Sequence, residues 1–286
     1  MLVTIIGLGL IGGSIGLALR QGKKPVWEIV GYSRRQETIA NALSLGVIDQ
    51  GETSLKDAVK QSDFVIVATP VLTVKKIFSE IAPHLPSACI VTDTATTKVQ
   101  VMKWAEEILP PTVDFVGGHP MAGKETYGIQ AAEAELFRGC TYCLTLSEKA
   151  SPKSIDTVTG MVKRLGAIPF FIDAQEHDNL VAGISHLPML LSASLVSLTT
   201  KNPSWSKMSK LAASGYHDLT RLASGSPEVN AHICFSNNEA IVDWIDKFSQ
   251  ELGRYRQLVA EGDKRLEQAF TEAKAARQEW LNNLSA

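Results

Sequence analysis

Two groups of residues in this chain have the types and spacing to do chemistry. Gly7, Gly9 and Gly12 fall as G-x-G-x-x-G between an apolar, β-branched run at 2–6 and a run of helix formers at 14–19. In that order of strand, turn and helix, Gly7 allows the tight turn and Gly9 lets backbone approach a pyrophosphate with no Cβ in the way. Gly12 then permits close packing of helix on strand. Leu10 and Ile11 lie in the glycine turn, and the N-terminus of the helix after it turns free N–H groups and a partial positive charge toward the phosphates. The pattern predicts a bound dinucleotide, and the alternative is a purely structural glycine turn. The second group centres on His119, which follows Gly117 and Gly118 and precedes Pro120, a neighbour that biases it toward extended backbone. A histidine beside a nicotinamide can take the proton of an alcohol as its hydride leaves; the alternative is a loop histidine satisfied by its neighbours.

A third position bears on which dinucleotide binds. Residues 27–32 read as a second strand that ends at Ser33-Arg34-Arg35. An acidic residue is expected there to bind the ribose 2′-hydroxyl of NAD. A hydroxyl followed by two guanidinium groups suits a 2′-phosphate instead, which predicts NADP, with NAD as the alternative. The competing reading is two solvated arginines opening the next helix.

These residues need elements to position them. After a helix at 39–45, residues 64–68 form an unbroken apolar strand ending at Thr69-Pro70. Helices at 71–85 and 99–109 flank a strand at 89–92 and the polar turn Asp93-Thr94-Ala95-Thr96-Thr97-Lys98. A strand at 113–116 runs into the His119 segment, and strand, helix and strand follow at 140–146, 152–165 and 168–172. Alternating strands and helices predict a parallel sheet, with Gly7, Ser33, Thr69, Pro70, Asp93 and His119 at the carboxyl ends, where ligands bind.

Strand signals stop at Asp173. Residues 187–198 read as an apolar core helix too short to cross a bilayer, and 241–255 and 266–281 as amphipathic helices. The expected class is α/β, a Rossmann-type dinucleotide-binding domain over 1–172 followed by an all-helical domain over 173–286. Its many large apolar residues predict a homodimer, with an intramolecular bundle as the alternative.

Composition narrows the partners. The chain has 286 residues, 20% of them charged, and a net charge of −2, so nothing attracts nucleic acid or anionic lipid and neither is expected as a partner. The first apolar run lacks a cationic leader and is broken by glycines, and no other reaches a spanning length, which predicts a cytoplasmic protein. Cys89, Cys140, Cys143 and Cys234 form no disulfide framework. Cys140 and Cys143 lie three apart on one expected strand and point to opposite faces, so no metal site is expected.

Taken together, the blocks resemble a known family. The glycine turn, the Asp93 to Lys98 turn, Gly118-His119-Pro120-Met121-Ala122-Gly123, Ser185-His186-Leu187-Pro188 and Ser214-Gly215-Tyr216-His217-Asp218-Leu219-Thr220-Arg221 look like the prephenate and arogenate dehydrogenases of tyrosine biosynthesis. The resemblance spans almost the whole chain. It implies oxidative decarboxylation of a cyclohexadienol carboxylate, in which hydride leaves the ring carbinol for nicotinamide, carbon dioxide departs and the ring becomes aromatic. It also implies roles: His119 as base on the substrate hydroxyl, Thr96 as a second partner of that hydroxyl where the family usually has serine, and His186 orienting the substrate. Arg221 would hold a substrate carboxylate, a task suited to a guanidinium fork. Ser214, His217 and Asn230 would lie at the substrate end. His217 stands where relatives often carry Lys or Arg, and Asn230 where many carry Trp, which leaves prephenate and arogenate both open. Glu125 would pair with the amino group of arogenate or gate the cleft through an ion pair. The competing readings are another two-domain NADP oxidoreductase acting on a hydroxy acid or imine through a lysine such as Lys207 or Lys210, and a dinucleotide sensor without turnover.

Overall fold

Apolar and β-branched runs become strands β1 (Leu2–Ile6), β2 (Glu28–Tyr32), β3 (Gln50–Glu52), β4 (Phe64–Val67), β5 (Ile90–Asp93), β6 (Asp114–Pro120), β7 (Thr141–Leu146) and β8 (Ile168–Phe171) in the computed structural model, which describes residues 1–21, 27–148 and 150–284. They form one sheet in the order β3-β2-β1-β4-β5-β6-β7-β8. Strand order reverses between β1 and β4, so their carboxyl ends splay into the crevice where open α/β sheets bind ligands. Helices α1 (Leu10–Arg20), α2 (Gln36–Ser44), α3 (Leu55–Val59), α4 (Val71–Ile81), α5 (Val99–Ile108) and α6 (Pro152–Arg164) accompany the sheet. Alternation within the strands supplies both faces. Ile5, Phe64 and Ile66 pack with Ile15, Leu19, Met161 and Val162, while Ile6, Val65 and Val67 pack with Val74, Phe78, Ile81 and Val101.

The sheet departs from the all-parallel expectation at β7, which runs antiparallel to β6, pairing His119 with Cys143. Between these strands the chain holds only a short 3₁₀ turn at Ile129–Ala131 and no crossover helix, so β7 returns beside β6 in the opposite sense. Pairing with β7 also extends β6 through Gly117, Gly118, His119 and Pro120, beyond the strand expected at 113–116.

A second departure follows β8. Ala174–Val181 (α7), a π turn at Ala182–His186 and Leu187–Thr200 (α8) run on as one helix of 27 residues, with mean hydropathy 1.6 over 18 of them. By length and composition alone it can cross a bilayer, which corrects the expectation of a short helix. Its polar first turns precede the helix expected at 187–198, and Asp173 caps them by accepting hydrogen bonds from the N–H groups of Gln175 and Glu176. The wide turn has a local cause: Pro188 has no N–H to give Ile184, and its ring would crowd that carbonyl in a regular helix. Helices α9 (Trp205–Leu211), α10 (Ser214–Thr220), α11 (Pro227–Ser236), α12 (Asn238–Glu261) and α13 (Arg265–Leu284) complete the chain.

The chain separates into two compact units, Met1–Asn238 and Glu239–Ala286. Helices α7 to α11 thus pack in the same unit as the sheet. In the second unit Gly262, at φ +60°, turns the chain between two long helices, and the rings of Tyr255 and Phe270 lie 5.7 Å apart.

Candidate active site

The turn after β1 is built for close approach. Gly7 adopts φ +103°, and a Cβ there would lie 2.5 Å from the carbonyl oxygen of Ala68 after β4; a Cβ on Gly12 would lie 2.0 Å from the Gly7 oxygen. A Cβ on Gly9 would meet nothing within 4 Å, so open space lies over the turn. Gly9 is the N-cap of α1, and no side chain caps that end, leaving the N–H groups at Leu10, Ile11 and Gly12 to an outside acceptor. Open space, free donors and a helix N-terminus fit the pyrophosphate of a dinucleotide.

Ser33, at the end of β2, accepts a hydrogen bond from the Arg35 N–H at 3.2 Å. Arg34 and Arg35 are exposed, and neither guanidinium forms an ion pair among the described residues. After β4, Thr69 accepts from the Thr73 hydroxyl at 2.9 Å, and Pro70 is the N-cap of α4. Asp93 behaves differently. It is fully buried, accepts from the N–H groups of Ala95 (2.8 Å) and Gly118 (3.0 Å), and pairs with buried Lys98. Lys98 also donates to the Gly118 carbonyl at 2.6 Å. The Asp93 carboxylate is therefore spent on clamping the β5 turn to β6, and what it offers a ligand is the shape of that turn. Gly118 is required there, because a Cβ would sit 2.6 Å from the Asp93 carbonyl oxygen.

The clamp holds His119 at the end of β6, where it is 6% exposed. Its Nδ1 lies 2.9 Å from Nε2 of His177, and Nδ1 of His177 lies 2.7 Å from Oδ1 of Asp178. Asp178 in turn accepts from the backbone N–H groups of Lys98 (2.7 Å) and Val99 (2.9 Å), capping α5 from α7. Burial, reinforced by the neighbouring His177, Lys98 and His186, holds His119 well below the usual histidine range, so its ring is neutral at neutral pH.

His186, in the π turn, is also buried, and burial pushes it down to about 4 despite the opposing pull of Asp178. The Asn237 amide donates to the Asp178 carbonyl (2.7 Å) and reaches His186 Nδ1 at 3.3 Å. That contact leaves the proton of neutral His186 on Nε2, a buried atom with no partner among the described residues. Thr96 is half-buried, and its neighbour Thr97 donates to Ser236 of α11 at 2.9 Å.

The other expected residues make contacts of their own. Arg221 pairs with Glu125, joining two substrate-end candidates in one contact. Ser214 and His217 are exposed on α10, and His217 faces Asp218 at 3.3 Å. Half-buried Asn230 packs near Gly225. Sequence reasoning missed His177 and Asp178. They share the buried stripe of α7 with Val181, which Ala182 of the π turn continues, so a His-Asp pair on an apolar helix face was the available signal.

Comparison with known proteins yields concordant matches. The family model described as prephenate dehydrogenase, nucleotide-binding domain, matches residues 15–169, and that described as prephenate dehydrogenase, dimerization domain, matches 173–272. The chain is 35% identical over 263 residues to prephenate dehydrogenase of Bacillus subtilis (strain 168), covering 91% of this chain and 71% of that protein. It is similar to the crystal structure of prephenate dehydrogenase from A. aeolicus in complex with hydroxyphenyl propionate and NAD+, with TM-score 0.90, 31% identity and 98% of each chain covered. It is also similar to Synechocystis arogenate dehydrogenase, with TM-score 0.82, 27% identity, and 98% of this chain and 100% of that one covered.

Proposed function

The chain belongs to the prephenate dehydrogenase family, and from that premise we propose that it oxidatively decarboxylates prephenate or arogenate in tyrosine biosynthesis, with hydride transfer to a nicotinamide dinucleotide. The observation that carries this reading is the buried, neutral His119 at the carboxyl end of β6. A base must be unprotonated before it acts, and burial keeps His119 so.

In this reading Gly7, Gly9, Leu10, Ile11 and Gly12 hold the pyrophosphate, with Thr69 and Pro70 on the facing strand end. The dinucleotide supplies the hydride acceptor. His119 takes the substrate hydroxyl proton on Nε2 as the carbinol C–H bond breaks, and Thr96 positions the same hydroxyl. The electron pair of the bond to the departing carboxylate then completes the aromatic ring. His186 offers its unpartnered Nε2–H to the substrate. Arg221 binds a substrate carboxylate, exchanging or sharing its contact with Glu125, and Ser214 and His217 complete the substrate end. NADP is the assigned cofactor, because Arg34 and Arg35 are free to meet a 2′-phosphate beside Ser33. Residues 1–172 act as the dinucleotide-binding part and 173–286 as the substrate and dimerisation part of a cytoplasmic homodimer.

The test is to assay purified protein with prephenate and with arogenate, each with NAD and NADP, following absorbance of the reduced cofactor. Turnover of at least one substrate is expected. No reduction with any of the four pairs would sink the assignment.

A further inference from the structure

We infer that His177 and Asp178 are positioning residues that set the tautomer and ring orientation of His119, leaving His119 Nε2 as the proton acceptor. The inference rests on the reading of His119 as the base and extends it to two residues of α7.

Asp178 accepts from two backbone N–H groups at the start of α5, one on each carboxylate oxygen, so both oxygens act as acceptors. Nδ1 of His177, 2.7 Å from Oδ1, therefore carries a proton. A neutral His177 then has only a lone pair on Nε2, and His119 Nδ1, 2.9 Å away, must donate to it. Neutral His119 is left with its lone pair on Nε2, the state a base needs. The rings cross at 75°, so His177 fixes the direction of the His119 ring as well as its proton. A doubly protonated His177 would reverse the bond and leave a proton on His119 Nε2. It would also set an imidazolium against a ring that must become cationic during turnover, with the Lys98 ammonium already close.

Both positioning residues are 1% exposed and come from a helix outside the sheet. A histidine whose partner were merely structural would have no need of a second acceptor chain ending in a helix cap. During turnover the proton arrives on Nε2, the Nδ1–H bond to His177 persists, and the Asp178 carboxylate offsets the new positive charge through one intervening ring.

Asp178 is unsuited to a test because it also caps α5, so the experiment uses His177. In His177→Asn the shorter amide can still donate to Asp178 but cannot reach His119; in His177→Gln the longer amide can present its oxygen to His119 Nδ1. The readouts are kcat, KM, cofactor Kd and Tm. The Asn variant is expected to lose roughly 10²-fold or more in kcat, with KM and Kd within about threefold of the parent. The Gln variant is expected to recover about tenfold or more of that loss. An Asn variant within about threefold of parental kcat overturns the inference, as does a Gln variant no better than the Asn variant. If His119→Asn keeps parental turnover, the base assignment falls as well, which separates the two failures.

Discussion

At the scale of single residues, the site depends on keeping ionisable groups out of water while giving each a defined partner. His119 and His186 are neutral because burial makes their charged forms costly, whereas Lys98 remains paired with Asp93 beneath them. His119→Asn keeps a polar side chain but removes the base, so turnover should fall roughly 10²- to 10⁴-fold with little change in cofactor affinity. Retention of parental turnover under conditions where hydride transfer limits the rate would refute the role. The sign of the pH effect follows from the same burial. A histidine whose folded pKa lies below the unfolded 6.5 is unprotonated at and above that pH, so the acid limb of kcat/KM should lie below pH 6.5. Stability is subject to the same linkage: the unfolded chain takes up protons first, and the contribution present above pH 6.5 is lost as pH falls toward the value of about 4 at His186. An acid limb above pH 6.5 would contradict this account.

At the scale of elements, strand ends and helix starts deliver the chemistry. The β1 turn presents backbone N–H groups, the end of β2 presents a hydroxyl and two guanidinium groups, and β6 presents His119 only because β7 pairs along it to Pro120. The end of β2 can be tested by itself. Ser33→Asp with Arg34→Ala would restore an acceptor for the ribose hydroxyls and repel a 2′-phosphate. A charge-assisted phosphate contact is worth about 1.5–3 kcal/mol, so preference should move toward NAD by roughly ten- to hundredfold. Equal or better kcat/KM with NAD in the unaltered protein would remove the basis for assigning NADP. The helix of α7 and α8 shows a similar division of labour: its first turns carry His177 and Asp178 inward, and the π turn that accommodates Pro188 holds His186.

At the scale of the molecule, the second unit exposes large apolar side chains along both long helices, including Val242, Leu252, Val259, Phe270 and Trp280, each more than half accessible. In the first unit Ile184, Leu198, Leu211, Leu219 and Phe235 are similarly exposed. Apolar surface on this scale costs free energy in water, and an obligate dimer interface, often about 2,000 Å² or more, would remove it. The match of residues 173–272 to a dimerization-domain family accords with that reading. Light scattering should therefore give twice the chain mass of 31.0 kDa. A monomer mass at every concentration tested would exclude the dimer.

The linear order of residues by itself determined the alternation of strands and helices, the glycine turn, the basic end of β2 and the candidacy of His119. Each of these is written in short-range periodicity or in neighbours within a few positions. Only the tertiary structure decided the antiparallel course of β7, the pairing of Arg221 with Glu125, and the chain from Asp178 through His177 to His119. Those contacts join residues 58 to 96 positions apart or depend on which way a strand returns. Asp93 shows the limit most directly. Its place at a strand end made it a candidate cofactor contact, but whether a carboxylate faces a ligand or is consumed by a buried ammonium depends on Lys98 and Gly118 folding back against it. Local pattern places a residue at the crevice, whereas burial and long-range partners decide what its polar atoms are free to do.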